Sequence, residues 1–153
     1  MDEIDRLESW LAPLLHQLSA PERARLAREV ARDLRTENAA NIRAQRGPDG
    51  QAWEPRKTPK RDQLGKVRAK LAQGMFQQLR TAKHMKAQAE GGDAVVQFLG
   101  RAERIARVHH MGLRDRVKPG GPEYDYPARP LLGIGDDFAE RLQARILAHL
   151  AAR

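Results

Sequence analysis

A chain of 153 residues and 17.3 kDa suits one domain, long enough to bury a modest core without covalent staples. The absence of cysteine excludes disulfides, thiolate metal sites and a cysteine nucleophile, and no apolar run approaches the ~20 residues needed to cross a bilayer. A formal charge of +8 and a pI near 10.4 point to an acidic partner.

The opening "MDEIDRLESW" is acidic where a secretory leader is basic, so a soluble protein made in the cytoplasm is expected. Ile4, Leu7, Leu11, Leu14, Leu15 and Leu18 then recur at spacings of three and four, the stripe of an amphipathic helix, with Pro13 placed to kink or break it. "SAPE" opens a second helix: Ser19 caps it, Glu22 stands at capping-box spacing and Pro21 falls in the first turn. Leu26, Val30, Leu34 and Ile42 line one side until Gly47, Pro48 and Gly50 stop it. About 27 residues at the helical rise span roughly 40 Å. So small a domain is not expected to cover that length alone, which makes Leu26 and Val30 candidate interface residues shared with a neighbouring subunit.

Between Arg43 and Lys70 nine bases stand against Asp49, Glu54 and Asp62, so this stretch carries six of the eight surplus charges. It reads as a solvated loop and helix face, because no aromatics alternate with the bases to stack on nucleobases. The alternative is a nucleic-acid-binding module over residues 43–70, with Arg56, Lys57, Lys60 and Arg61 facing the phosphates. Trp53, alone among these charges, either anchors an interface or folds back on the core.

A further helical stretch is expected around Val67, Leu71, Met75, Phe76 and Leu79, after which the period changes. Residues 82–89 and 94–99 form an expected β-hairpin around Gly91-Gly92. Ile105, Val108 and Met111 mark a short helix closed by Gly112. His109 and His110 point about 100° apart on such a helix and do not share an ion as an i, i+4 pair does, so a structural or interface role is expected. Prolines keep Tyr124 to Leu131 extended, a possible third strand for the hairpin. The closing helix starts near Gly135, Asp136 or Asp137, with Asp137 and Glu140 at capping-box spacing. Its stripe of Phe138, Leu142, Ile146 and Leu150 is expected to cover the hairpin.

The fold expected is therefore α+β, with long N-terminal helices, a small antiparallel sheet and a C-terminal helix packed on that sheet. It forms one domain: a helical part to residue 46, a basic loop over 47–65 and an α+β core over 66–153. Ser9 and Ser19 are the only serines and both fall in helical or capping positions. No nucleophile elbow, phosphate-cradling loop or dinucleotide fingerprint occurs, and the acidic pairs suit helix N-termini. An assembly or binding protein is expected rather than an enzyme, with no catalytic residue, metal or cofactor.

The stretches "RGPDGQAWEPRK", "IARVHHMG" and "YPARPLLGIGDD" resemble signature segments of the phage virion-morphogenesis family, the tail-completion proteins of Mu-like and related contractile-tailed phages. The resemblance runs in order from the "LAREVARDLR" helix to the C-terminal helix; His110 stands where the family favours glutamine, and Gly135 where a serine cap is expected. It implies a structural role in completing tails or joining them to filled heads, with a ring of six copies and other tail or neck proteins as partners; the assembly and nucleic-acid readings coexist if the basic stretch 43–70 lines a channel for passing DNA. It further implies assembly in the bacterial cytoplasm and residence in the virion. In such a protein the stiff segment from Tyr126 to Pro130 presents Tyr126 and Arg129 as interface anchors, braced by the C-terminal helix. An edge strand whose prolines block aggregation accounts for it equally well.

Overall fold

The computed structural model of the chain describes residues 2–56 and 74–152. Val67 and Leu71 of the expected middle helix, and Lys57, Lys60 and Arg61, lie outside them, while Met75–Arg80 is a run of turns. The described elements are α1 (Glu3–Leu15), α2 (Ala20–Arg43), β1 (Met85–Glu90), β2 (Asp93–Phe98), α3 (Arg101–Met111), β3 (Arg114–Arg116), β4 (Glu123–Asp125) and α4 (Asp136–Ala151). The class is α+β: a pair of N-terminal helices, two small antiparallel sheets and a C-terminal helix.

α1 begins with a capping box in which the Asp2 carboxylate accepts from the Asp5 amide (2.8 Å) and Asp5 accepts from the Asp2 amide (3.3 Å). Pro13 sits in its last turn, and the helix ends two residues later. At α2 the Ser19 hydroxyl accepts from the Glu22 amide (3.4 Å) and donates to the Glu22 carboxylate (3.2 Å). This helix is 24 residues long and stops before the glycines. Gln45 turns the chain at φ 59°, with Gln45 N–H bonded to Ile42 O and Arg46 N–H to Asn41 O, the paired bonds of a Schellman motif. A non-glycine there costs about 1–2 kcal/mol. The Gln45 side chain offsets this by donating to Ile42 O and Met75 O and accepting from Met75 N–H (2.7 Å), which ties the turn to the next described segment.

The first hairpin pairs Met85 with Phe98 through to Glu90 with Asp93. Gly91 and Gly92 both have positive φ (57° and 89°), the backbone of a two-residue type I′ turn. α2 lies along both strands. Arg35 donates to Met85 O (2.8 Å) and Arg80 O (3.2 Å), and Arg23 lies against Gly92. Between these two arginines, at helical i+4 steps, the buried Ala27 and Ala31 leave room for the strands to approach.

The other side of α2 carries Leu26, Val30 and Leu34, which pack with Leu7 of α1 and with Phe138, Leu142 and Ile146 of α4. The C-terminal helix is thus seated on the helix pair, and the hairpin is covered by the alanine side of α2. The large aliphatic stripes match each other and the small residues match the sheet. The hairpin's core partners are Ile42, Trp53, Met75, Leu79, Ala102, Ala106 and Leu131.

β4 does not extend the hairpin. It pairs with β3 in a separate sheet, Arg114 opposite Asp125 and Arg116 opposite Glu123. Opposite charges across that pair, with Arg114 2.8 Å from Glu123, and the Arg104–Asp115 bridge at 2.9 Å favour this pairing. α4 starts from Gly135 with no side-chain cap, so the Asp137–Glu140 box does not form; Asp136 and Asp137 act on its first turn through the helix dipole.

Candidate assembly surface

Residues 126–135, "YPARPLLGIG", form a strap with little regular structure of its own. Its backbone groups therefore have to find partners elsewhere, and they find them on three different elements. From α3, His109 O accepts from Arg129 N–H (2.7 Å), and His110 Nδ1 accepts from the amides of Leu131 (3.0 Å) and Leu132 (3.5 Å). From α2, the fully buried Asn38 accepts from Gly133 N–H (3.0 Å) while donating to Leu34 O (2.8 Å). From the loop after α2, Trp53 Nε1 donates to Pro130 O (2.9 Å).

Three glycines permit the close approach, Gly135 among them because a Cβ there would run into Pro48 O. Gly112, left-handed at φ 67°, ends α3 so near the strap that a Cβ there would lie 2.8 Å from Ala128 N. Gly133 passes Pro48 with a Cβ position only 2.8 Å from the proline ring. The three sequence stretches around Trp53, His109 and Tyr126 therefore meet in one place.

Arg129 is 7% exposed and its guanidinium turns inward, donating to Glu54 O (2.8 Å) and Pro55 O (3.1 Å). This corrects the expectation that the strap presents Arg129 at its surface: two carbonyls of the Trp53 loop need a donor, and the arginine stem reaches them. Burial lowers its pKa and the Glu54 carboxylate opposes that effect. Trp53, 8% exposed, folds back on the core. Tyr126 stays half-buried, edge-on to His109 (centroids 4.6 Å) and Tyr124 (4.9 Å), and His109 meets Phe76 at 4.7 Å. Leu26 is buried and Val30 half-buried beneath α1 and α4. Arg56 is exposed and donates to Gly74 O (3.0 Å).

The two histidines do different work. His110 accepts backbone N–H bonds at Nδ1, which a proton there would abolish, and burial lowers its pKa. The pKa of His109 is lowered by burial and then by the Arg129 charge, against a raising effect of Asp115; its Nδ1 is buried with no hydrogen-bond partner among the described residues. Their rings face different surroundings, and among the described residues no three His, Asp or Glu side chains gather as a metal site would need.

The strap and turn contacts of Asn38, Gln45 and His110 are not visible in residue spacing. Asn38 did leave a signal: it is a polar residue four positions from both Leu34 and Ile42, inside an apolar stripe.

The sequence matches the phage virion morphogenesis family over residues 2–151. The chain belongs to that family. It is 36% identical over 152 residues to the tail completion protein S of Escherichia phage P2, covering 98% of this chain and 99% of that one. No solved structure matches it. As a member of this family the chain is a phage structural protein with a part in tail assembly. Among its described residues no helix is long and apolar enough to cross a membrane.

Proposed function

We propose that this protein completes the phage tail and joins it to the filled head, acting as a non-enzymatic ring of six copies at the tail or neck. The observation that carries the reading is the end-to-end match to a tail completion protein of nearly the same length. The strap supports it: an extended segment tied down on three elements keeps a fixed shape, which lowers the ordering cost of docking. Its partners are copies of itself and other tail or neck proteins, met in the host cytoplasm and retained in the virion. The basic stretch 43–70, with Arg56, Lys57, Lys60 and Arg61, faces DNA passing through the opening.

The test is to mix the purified protein with tails produced without it, sediment the tails and image their ends. Stoichiometric retention with a symmetric ring of density is the expected result. Failure to bind tails, with equal recovery of the protein in the supernatant, would refute the reading. Duplex binding by the isolated protein that weakens steeply with salt tests the DNA contact separately.

A further inference from the structure

Two unlike faces of the chain complement each other. The first is the outer arc of α3. Arg101, Arg104 and Arg107 stand exposed there with Ile105 (48% exposed) and Met111 (60%) among them. At 100° per residue these five side chains share one side of the helix, opposite the buried Ala102 and Ala106, with the buried Val108 set among them. Arg104 is held by Asp115, whereas Arg101 and Arg107 make no ion pair among the described residues. Ile105 and Met111 add apolar surface to these cations, a mixture suited to a partner of opposite charge with apolar walls.

The second face is a cleft of about 660 Å³ between the turn after α2, the strap and the starts of α1 and α4. Ile4 (43% exposed) and Ile134 give it apolar walls. Five carboxylates line it, Asp2, Glu37, Asp49, Asp136 and Asp137; Glu37 is paired with Arg141 (3.0 Å), which leaves four against Arg46 among the described lining residues. In a chain of charge +8, an acidic cleft of this kind is a local reversal of the overall field. Of the five large hydrophobics that stand exposed among the described residues, three belong to these two faces.

We infer that the α3 arc of one copy enters the acidic cleft of the next. This rests on the ring reading and supplies its contact. The two faces are different patches, so the contact is head to tail, the type that closes into a ring when the rotation permits. Opposite charge steers the encounter, while Ile105 and Met111 seat against the apolar walls.

The experiment uses the full chain, with oligomers measured by sedimentation velocity alone and on purified tails. One variant is Arg101→Glu with Arg107→Glu; the other is Asp136→Lys with Asp137→Lys. Because two lysines oppose the dipole of α4, Asp136→Asn with Asp137→Asn is made as well, and circular dichroism verifies folding. Each reversal should weaken self-association at least about 100-fold, and the neutral variant about 10-fold. An equimolar mixture of the two reversed variants should regain assembly, since reversed arcs then meet reversed clefts and unaltered arcs meet unaltered clefts.

Wild-type association in folded single-face variants would overturn the face assignment and leave the ring reading standing. A mixture that stays dissociated while each variant alone is also dissociated would overturn the pairing of these two faces. A wild-type protein that never oligomerises, free or on tails, would overturn both readings. Loss of duplex binding in the arginine variant with assembly unchanged would make the arc a nucleic-acid surface and overturn the inference.

Discussion

Replacing Asn38 by leucine removes one acceptor from the strap while nearly preserving side-chain volume. Asn38 is fully buried, and its carboxamide is the partner of Gly133 N–H at 3.0 Å. Its donation to Leu34 O matters less, because that carbonyl also receives the helical bond from residue 38. An orphaned buried N–H costs about 1–3 kcal/mol, and since Gly133 is only half-buried the lower part applies, about 1–2 kcal/mol. For a chain of this size that lowers Tm by about 2–8 °C. Asn38→Ala should lose about 1–2 kcal/mol more, through the cavity it leaves. Asn38→Asp keeps an acceptor for Gly133 but buries a carboxylate, so its defect should grow as pH rises and ease when the acid is protonated. Urea unfolding and thermal melts followed by circular dichroism measure all three. An Asn38→Leu protein melting within about 1 °C of wild type would show that the strap does not depend on this bond.

Three further outcomes follow from the same contacts. Gly112→Ala should cost at least about 1–2 kcal/mol in urea unfolding from the left-handed backbone alone, with the approach to Ala128 adding to it; an unchanged midpoint would contradict the packing described. Burial depresses the pKa of both His109 and His110 in the fold, so the unfolded chain binds more protons below about pH 6.5. Their contribution to stability is therefore complete above that pH and lost as pH falls below it, a slope that His109→Gln with His110→Gln should flatten in pH-resolved melts. Leu26→Asp should fail to fold or lose about 4 kcal/mol or more, because Leu26 is 3% exposed between α1 and α4; a soluble, folded and cooperative Leu26→Asp protein would place that stripe on the surface instead.

The elements whose local signals agree with their surroundings were legible in the sequence. The Ser19 cap with Glu22, the double glycine of the hairpin and the apolar stripes of α1, α2 and α4 combine period with punctuation, and these starts, turns and faces form where expected, though the end of α2 does not. What covers the hairpin was not legible, because the decisive residues on α2 are Ala27 and Ala31. Small residues leave no mark in a pattern of large aliphatics. The end of α2 was misplaced because Gln45 takes a conformation ordinarily left to glycine, and its compensating partner, Met75, lies 30 residues away. The strap was visible as an extended proline-bounded segment, but the direction of Arg129 was not. Its role depends on two carbonyls of a loop more than 70 residues earlier, a long-range fact with no local trace.

The central claim, that the protein completes the tail and joins it to the head, is tested most directly by counting particles in lysates made without it. The account predicts filled heads and unjoined tails side by side, few infectious particles, and recovery of joined particles when the purified wild-type protein is added. Normal numbers of joined, infectious particles in its absence would contradict it.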